Sequence, residues 1–126
     1  MGWDQKTMCA TKPPECLVKI DPPWLVVTPK GYFNDLMGKQ LNDQIGKSPP
    51  AGEKALMFDF SDCPVVNSTG LAAMLDACET FQEEFHLNIG FCKLSNLLLE
   101  AFQIAGMNQV GTMFATVEEA KVFFGS

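Results

Sequence analysis

Three small polar residues and a glycine, Asn67-Ser68-Thr69-Gly70, follow an apolar run near the middle of the chain. Such residues can cap a helix, because the side-chain oxygen of Asn or Ser accepts a hydrogen bond from a free N–H of the first turn. The same place can hold a phosphate, since unpaired N–H groups and the helix dipole favour negative charge there. Capping requires one polar residue rather than three, so these residues alone leave both interpretations open.

Gly70 adds a second observation to the motif. A glycine in the first turn of a helix costs up to ~1 kcal/mol relative to alanine. We interpret it as a residue that keeps the surface small and open, so that another protein can approach the neighbouring hydroxyl groups.

Catalytic machinery is not predicted around this motif. His86 is the only histidine and is expected on the surface. The chain has no serine in a nucleophile elbow and no glycine-rich phosphate loop. Asp59 and Asp62 come at the end of an apolar strand, and we interpret them as charged loop residues rather than metal ligands. The sequence therefore predicts a protein that is not an enzyme and that holds no cofactor and no metal.

Charge and hydropathy narrow the classes of partner. The chain has 126 residues and a formal net charge of −6, which disfavours nucleic acid and anionic membrane surfaces. It has no apolar run of the ~18 residues that a membrane-spanning helix needs. A protein partner is compatible with these features, and the length fits one domain.

The five cysteines point to a reducing compartment. Their number is odd, and they show neither a C-x-x-C motif nor the spacing of zinc ligands. We therefore predict five reduced thiols and a cytoplasmic protein. The cysteines are Cys9, Cys16, Cys63, Cys78 and Cys92.

Strand and helix patterns alternate along the chain. Apolar runs and breaks predict two strands close enough to form a hairpin, followed by alternating helices and strands. Residues 1–14 are predicted to be a flexible leader, and 15–126 the domain. The predicted strands lie near 17–20, 24–27, 55–60, 87–91 and 112–115, and the predicted helices near 33–45, 68–85, 95–105 and 116–124.

This order predicts a single α/β domain. Strands that alternate with helices form a largely parallel sheet with right-handed crossovers, here with an antiparallel pair at the start. We expect a small mixed sheet with about four helices packed mainly on one face.

The segment ALMFDFSDCPVVNSTGLAAML, residues 55–75, resembles the core of the STAS domain family. That family contains anti-sigma factor antagonists and the cytoplasmic ends of sulfate transporters. Its signature is a buried strand, a short loop and then D-S-[ST]-G-L at the head of a helix. Residues 86–124 look like the family's next strand and closing helices, and 31–34 resemble its G-x-[LF]-D turn. The resemblance covers roughly 16–124 and implies a STAS-like fold.

The resemblance also implies a function. In this family the serine of the motif accepts a phosphate from a partner anti-sigma factor that is a serine kinase. The unphosphorylated protein sequesters that kinase and releases a sigma factor, and phosphorylation ends binding. Adding about two negative charges to a desolvated interface opposes binding. The implied phosphoacceptor is Ser68, with Asn67, Thr69, Gly70, Asn34 and Asp62 forming its surroundings and the docking surface for the partner.

The chain departs from the family pattern at three positions. Asn34 and Asn67 stand where the family has Asp, and Ala72 stands where many antagonists have Gly. Asn keeps the ability to cap a helix but carries no charge. A second interpretation therefore stays open: a STAS module that binds a protein or small ligand without being phosphorylated, as an adaptor in a transport or stress-signalling complex. The sequence does not decide the oligomeric state.

Overall fold

The structure is a computed structural model that describes residues 15–47 and 52–125. The predicted leader, residues 1–14, lies outside the described residues. The element order confirms the predicted one. The elements are β1 (Glu15–Asp21), β2 (Trp24–Lys30), α1 (Asp35–Lys47), β3 (Ala55–Asp59), α2 (Ser68–Phe85), β4 (Asn88–Cys92), α3 (Asn96–Ala105), a 3-10 turn (Met107–Gln109), β5 (Thr112–Phe114) and α4 (Val117–Gly125).

The five strands form one mixed sheet in the order β1-β2-β3-β4-β5. β1 and β2 are an antiparallel hairpin, whereas each later strand is parallel to its neighbour. Because strands that follow each other in the chain are also neighbours in the sheet, right-handed crossovers place α1, α2 and α3 on one face. α4 follows the last strand and packs on the other face, against β3, β4 and β5. The predicted α/β fold, with helices mainly on one face, is confirmed.

The two faces of the sheet carry cores of unequal size. The larger core lies under α1–α3 and contains stacked and perpendicular aromatic rings. The ring centroids of Phe58 and Phe91 are 5.6 Å apart, and those of Phe91 and Phe102 are 5.2 Å apart at 90°. The smaller core, under α4, contains Met57 and Cys92. β3 and β4 are therefore covered on both faces, which explains their nearly continuous apolar sequences.

Side chains from α1 cover part of the outer edge of β1. The N–H of Cys16 donates to Oε1 of Gln40 at 2.9 Å, and Nε2 of Gln44 donates to the carbonyl of Cys16. These backbone groups therefore point away from β2. Pro29 lies opposite Cys16 in the hairpin, so its missing N–H removes no hydrogen bond between the two strands.

Helix boundaries were predicted well where local signals define them. Ser95 caps α3 by accepting from the N–H of Leu98 at 3.2 Å, and Gly106 ends it with φ 80°. The predicted start of the first helix at Phe33 is wrong, because α1 begins at Asp35. Phe33 instead forms an isolated parallel bridge with Val66. Over the described ranges, no helix has the length and hydropathy needed to cross a membrane.

Candidate functional site

Asn67 is the residue that caps α2. Its backbone is extended, with φ −99° and ψ 175°. Its Oδ1 accepts from the N–H of Gly70 at 2.7 Å and from the hydroxyl of Thr69 at 3.0 Å. The sequence allowed either Asn67 or Ser68 to cap this helix, and the geometry assigns the cap to Asn67.

Ser68 is the first helical residue of α2, and it is exposed. Its hydroxyl makes no hydrogen bond to any residue in the described part of the chain. The first N–H groups of a helix have no partner within the helix, and Asn67 accepts only that of Gly70 among them. The free hydroxyl therefore lies at the positive end of an 18-residue helix.

The turn that carries Asn34 lies directly beside the start of α2. The N–H of Phe33 donates to the carbonyl of Val65 at 2.9 Å, and the N–H of Asn67 donates to the carbonyl of Phe33 at 3.1 Å. Asn34 caps α1 through Oδ1, which accepts from the N–H of Met37 at 3.1 Å. Asn34 and Asn67 therefore cap two neighbouring helices, and each uses a carboxamide oxygen where an aspartate could use a carboxylate.

Gly70 has a different role from the one predicted. It is buried, and a Cβ at this position would lie 2.3 Å from the carbonyl oxygen of Phe33 and 3.1 Å from Cα of Asn34. The interpretation of Gly70 as an exposed opening for a partner is therefore wrong. Glycine is required here because the first turn of α2 packs directly on the backbone of the 33–34 turn.

Asp59 is the last residue of β3, and Asp62 lies in the loop that leads from β3 to α2. Oδ1 of Asp59 accepts from the N–H of Ser61 at 3.0 Å, and the carbonyl of Asp62 accepts from the N–H of Gly31 at 2.9 Å. The side chain of Asp62 is exposed at the turn. Within residues 15–47 and 52–125, no group of three or more His, Cys, Asp or Glu side chains could hold a metal ion.

Exposed apolar side chains surround the 33–34 turn. Tyr32 is 43% exposed, Leu36 58% and Val65 42%. We call these three residues, together with the exposed Ser68 at the start of α2, the docking patch. Leu36 lies in the first turn of α1 and points outward, so it does not share the buried face that Met37 and Leu41 form. Exposed apolar side chains with polar residues at their rim are typical of protein interfaces.

The described cysteines are structural rather than reactive. Cys16, Cys63, Cys78 and Cys92 are buried and free, whereas Cys9 lies outside the described residues. Burial raises the pKa of the Cys63 thiol to about 11 and that of the Cys16 thiol to about 12. His86 is exposed at the end of α2 with φ 54°, as its position at a helix end predicted. None of these groups adds an activated nucleophile to the site.

A comparison with protein-family models matches residues 15–120 to the STAS domain. The match includes all five strands and three of the four helices, and ends within α4. The chain therefore belongs to the STAS domain family. A comparison with curated proteins found no match.

Solved structures with the same fold come from several organisms. An anti-sigma factor antagonist from Mycobacterium paratuberculosis has a TM-score of 0.73 at 18% identity, covering 90% of this chain and 96% of its own. A sulfate transporter family protein from Wolinella succinogenes has a TM-score of 0.71 at 15% identity, covering 85% and 88%. The Bacillus cell fate determinant SpoIIAA in its phosphorylated form has a TM-score of 0.63 at 19% identity, covering 83% and 95%. At these identities the likeness shows the fold alone.

Proposed function

We propose that this STAS-domain protein is a partner-switching regulator of the anti-sigma factor antagonist type. In the proposal, the unphosphorylated protein binds an anti-sigma factor that is a serine kinase, and phosphorylation of Ser68 ends that binding. The observation that carries the proposal is an exposed hydroxyl with no hydrogen bond to a described residue, at a helix N-terminus and beside exposed apolar side chains. The chain supplies the acceptor and the docking patch, and the partner supplies ATP and catalysis.

The free protein can accommodate a phosphate on Ser68. Phosphoserine carries a charge of about −1.5 to −2 at neutral pH. The N-terminus of a helix stabilises an anion by ~0.3–1 kcal/mol, and Ser68 has no described partner that the phosphate would displace. The neighbouring caps, Asn34 and Asn67, are uncharged, so neither adds a carboxylate that would repel it.

A complex formed through the docking patch would respond differently. A partner that covers Tyr32, Leu36 and Val65 removes water from this surface, and Ser68 lies within the same area. The phosphate would then lose its hydration, which costs several kcal/mol for an ion that is not paired by the partner. Phosphorylation would therefore be tolerated in the free protein and opposed in the complex, and this difference is what a switch requires.

A phosphate-affinity gel of protein from its native cells tests the proposal. We expect wild type to give two bands, and Ser68→Ala to give only the faster one. Ser61→Ala is the matched control, because Ser61 is an exposed serine in the adjoining loop and should leave both bands. A single band for wild type, or a slower band that persists in Ser68→Ala, would contradict the proposal.

The second function from the sequence is a STAS adaptor that binds its partner or a small ligand without phosphorylation. Both functions use a protein surface, so binding alone does not separate them. A partner whose affinity is the same for wild type and Ser68→Asp would favour the adaptor. The proposal also includes a cytoplasmic location, where an anti-sigma factor kinase would be available as partner.

A further inference from the structure

A cavity opens at the carboxyl ends of the last two parallel strands, and no docking-patch residue is among those that line it. Its volume is about 360 Å³, which is within the range of ~300–1,000 Å³ for small-molecule sites. Ligands of α/β proteins bind preferentially at this end of a parallel sheet. We call it the β4–β5 pocket; it is lined by Lys93, Leu94, Leu99, Met113, Phe114 and Ala115.

The floor of the β4–β5 pocket is apolar and firmly held. Leu94 and Met113 are half-buried and pack against the larger core, and Phe114 packs against the smaller one. The N–H of Lys93 donates to the carbonyl of Phe114 at 3.2 Å and joins the two strand ends. Because three separate elements fix the lining, the pocket is formed before any ligand arrives.

Lys93 is the one charged residue among the lining residues. Lys93 is exposed and forms no ion pair with any side chain that the structure describes. The backbone of Lys93 has φ 59°. This left-handed conformation costs ~1–2 kcal/mol for a residue other than glycine. α3 begins three residues later at Asn96, so the positive end of its dipole adds to the lysine charge.

A neighbouring cavity on the other side of β5 has the opposite charge. It is lined by Phe114, Val122 and Phe123 together with the carboxylates of Glu118 and Glu119. An anion would be repelled there, whereas a cation would be attracted. The two cavities share Phe114, so their difference in charge rather than in apolar area determines which ligand each one favours.

We propose that the β4–β5 pocket binds a small amphipathic anion, with its apolar chain on Leu99 and Met113 and its carboxylate beside Lys93. An inorganic anion would leave the apolar floor unused, and a neutral apolar molecule would leave the ammonium group unpaired. The proposal is independent of the function proposed for Ser68, since the pocket involves none of the docking-patch residues.

Titration with octanoate, followed by amide chemical shifts of the ¹⁵N-labelled protein, tests the proposal. We expect saturable shifts at Lys93, Leu99 and Ala115, and weaker binding of the neutral octanol. Lys93→Met keeps the apolar stem and should weaken octanoate binding about fivefold, the upper range for a solvent-exposed ion pair. Ala115→Trp, at an exposed position, should fill the pocket and abolish the shifts.

Three comparisons make the experiment decisive. Lys39→Met removes an exposed lysine from α1 and should bind octanoate like wild type, as should Ser68→Ala. Octylammonium should shift residues around Glu118 instead. Octanoate shifts centred on Glu118, unchanged affinity in Lys93→Met, or no saturable shift in wild type would each overturn the proposal.

Discussion

Gly70→Ala adds one methyl group at the closest backbone approach near the candidate site. The new Cβ would lie 2.3 Å from the carbonyl oxygen and 2.8 Å from the carbonyl carbon of Phe33. Both are backbone atoms, so no side-chain rotation can relieve the contact. The first turn of α2 must therefore move away from the 33–34 turn, which lengthens the hydrogen bond from the N–H of Asn67 to the same carbonyl.

The size of the effect follows from two opposing terms. Inserting a methyl group into a packed region costs ~1–3 kcal/mol, and replacing glycine by alanine in a helix returns up to ~1 kcal/mol. We expect a net loss of ~1–2 kcal/mol in the free energy of unfolding. For a domain of this length the loss corresponds to a Tm lower by ~4–8 °C.

Urea titration and thermal unfolding of Gly70→Ala measure this loss, and amide hydrogen exchange at Asn67 reports the lengthened bond. Gly125→Ala is the control: it adds the same methyl group within α4, where the nearest contact would be 3.5 Å from the ring of Trp24. We expect that control to stay within ~0.5 kcal/mol of wild type. Equal stability of Gly70→Ala and wild type, or an equal loss in both variants, would refute the packing argument.

Three further predictions concern the helix start and the thiols. Ser68→Asp should leave Tm nearly unchanged, because the N-terminus of α2 favours an anion by ~0.3–1 kcal/mol; a thermal scan showing a drop of ~5 °C or more would contradict this. Asn67→Ala should lose ~1 kcal/mol because the N–H of Gly70 loses its acceptor, whereas Asn67→Asp should retain the cap; urea titrations compare the two. Stability should fall as pH rises above about 9, because burial raises the pKa of Cys63 from 9.0 to about 11 and the unfolded chain releases its thiol protons first. Urea titrations between about pH 8 and 10.5 check this, and a flat profile would contradict it.

The sequence predicted those parts of the fold that depend on nearby residues. Ser95 and Gly106 mark the two ends of α3. Both ends were predictable because a capping residue acts within one turn of its own position in the sequence. The start of α1 was misplaced because Phe33 pairs with Val66, and a contact between residues so distant in sequence has no local signal. The hairpin strands extend beyond the apolar runs for the same reason, since backbone pairing continues through Pro29 and Lys30.

The candidate site was predicted in its position and only partly in its geometry. The STAS-like motif indicated Ser68 at the head of α2, where the structure has it. The requirement for glycine at position 70 and the exposure of Leu36 both depend on how α1, α2 and the 33–34 turn pack together. The periodicity of apolar residues does not specify this packing. The β4–β5 pocket was not predicted, because its lining comes from two strand ends and a helix that are separate in the sequence.

The two glutamines of α1 that cover the backbone of Cys16 in β1 have a consequence for solubility. A sheet grows into fibrils when a strand from another molecule pairs with an open edge. At Cys16 such a strand would first have to displace Gln40 and Gln44, which also attach α1 to the sheet. Loosening α1 would therefore also expose the backbone N–H and carbonyl of Cys16, to which a strand from another molecule could bind. In this protein, the same two side chains protect the edge of the first strand at Cys16 and help to attach the first helix to the sheet.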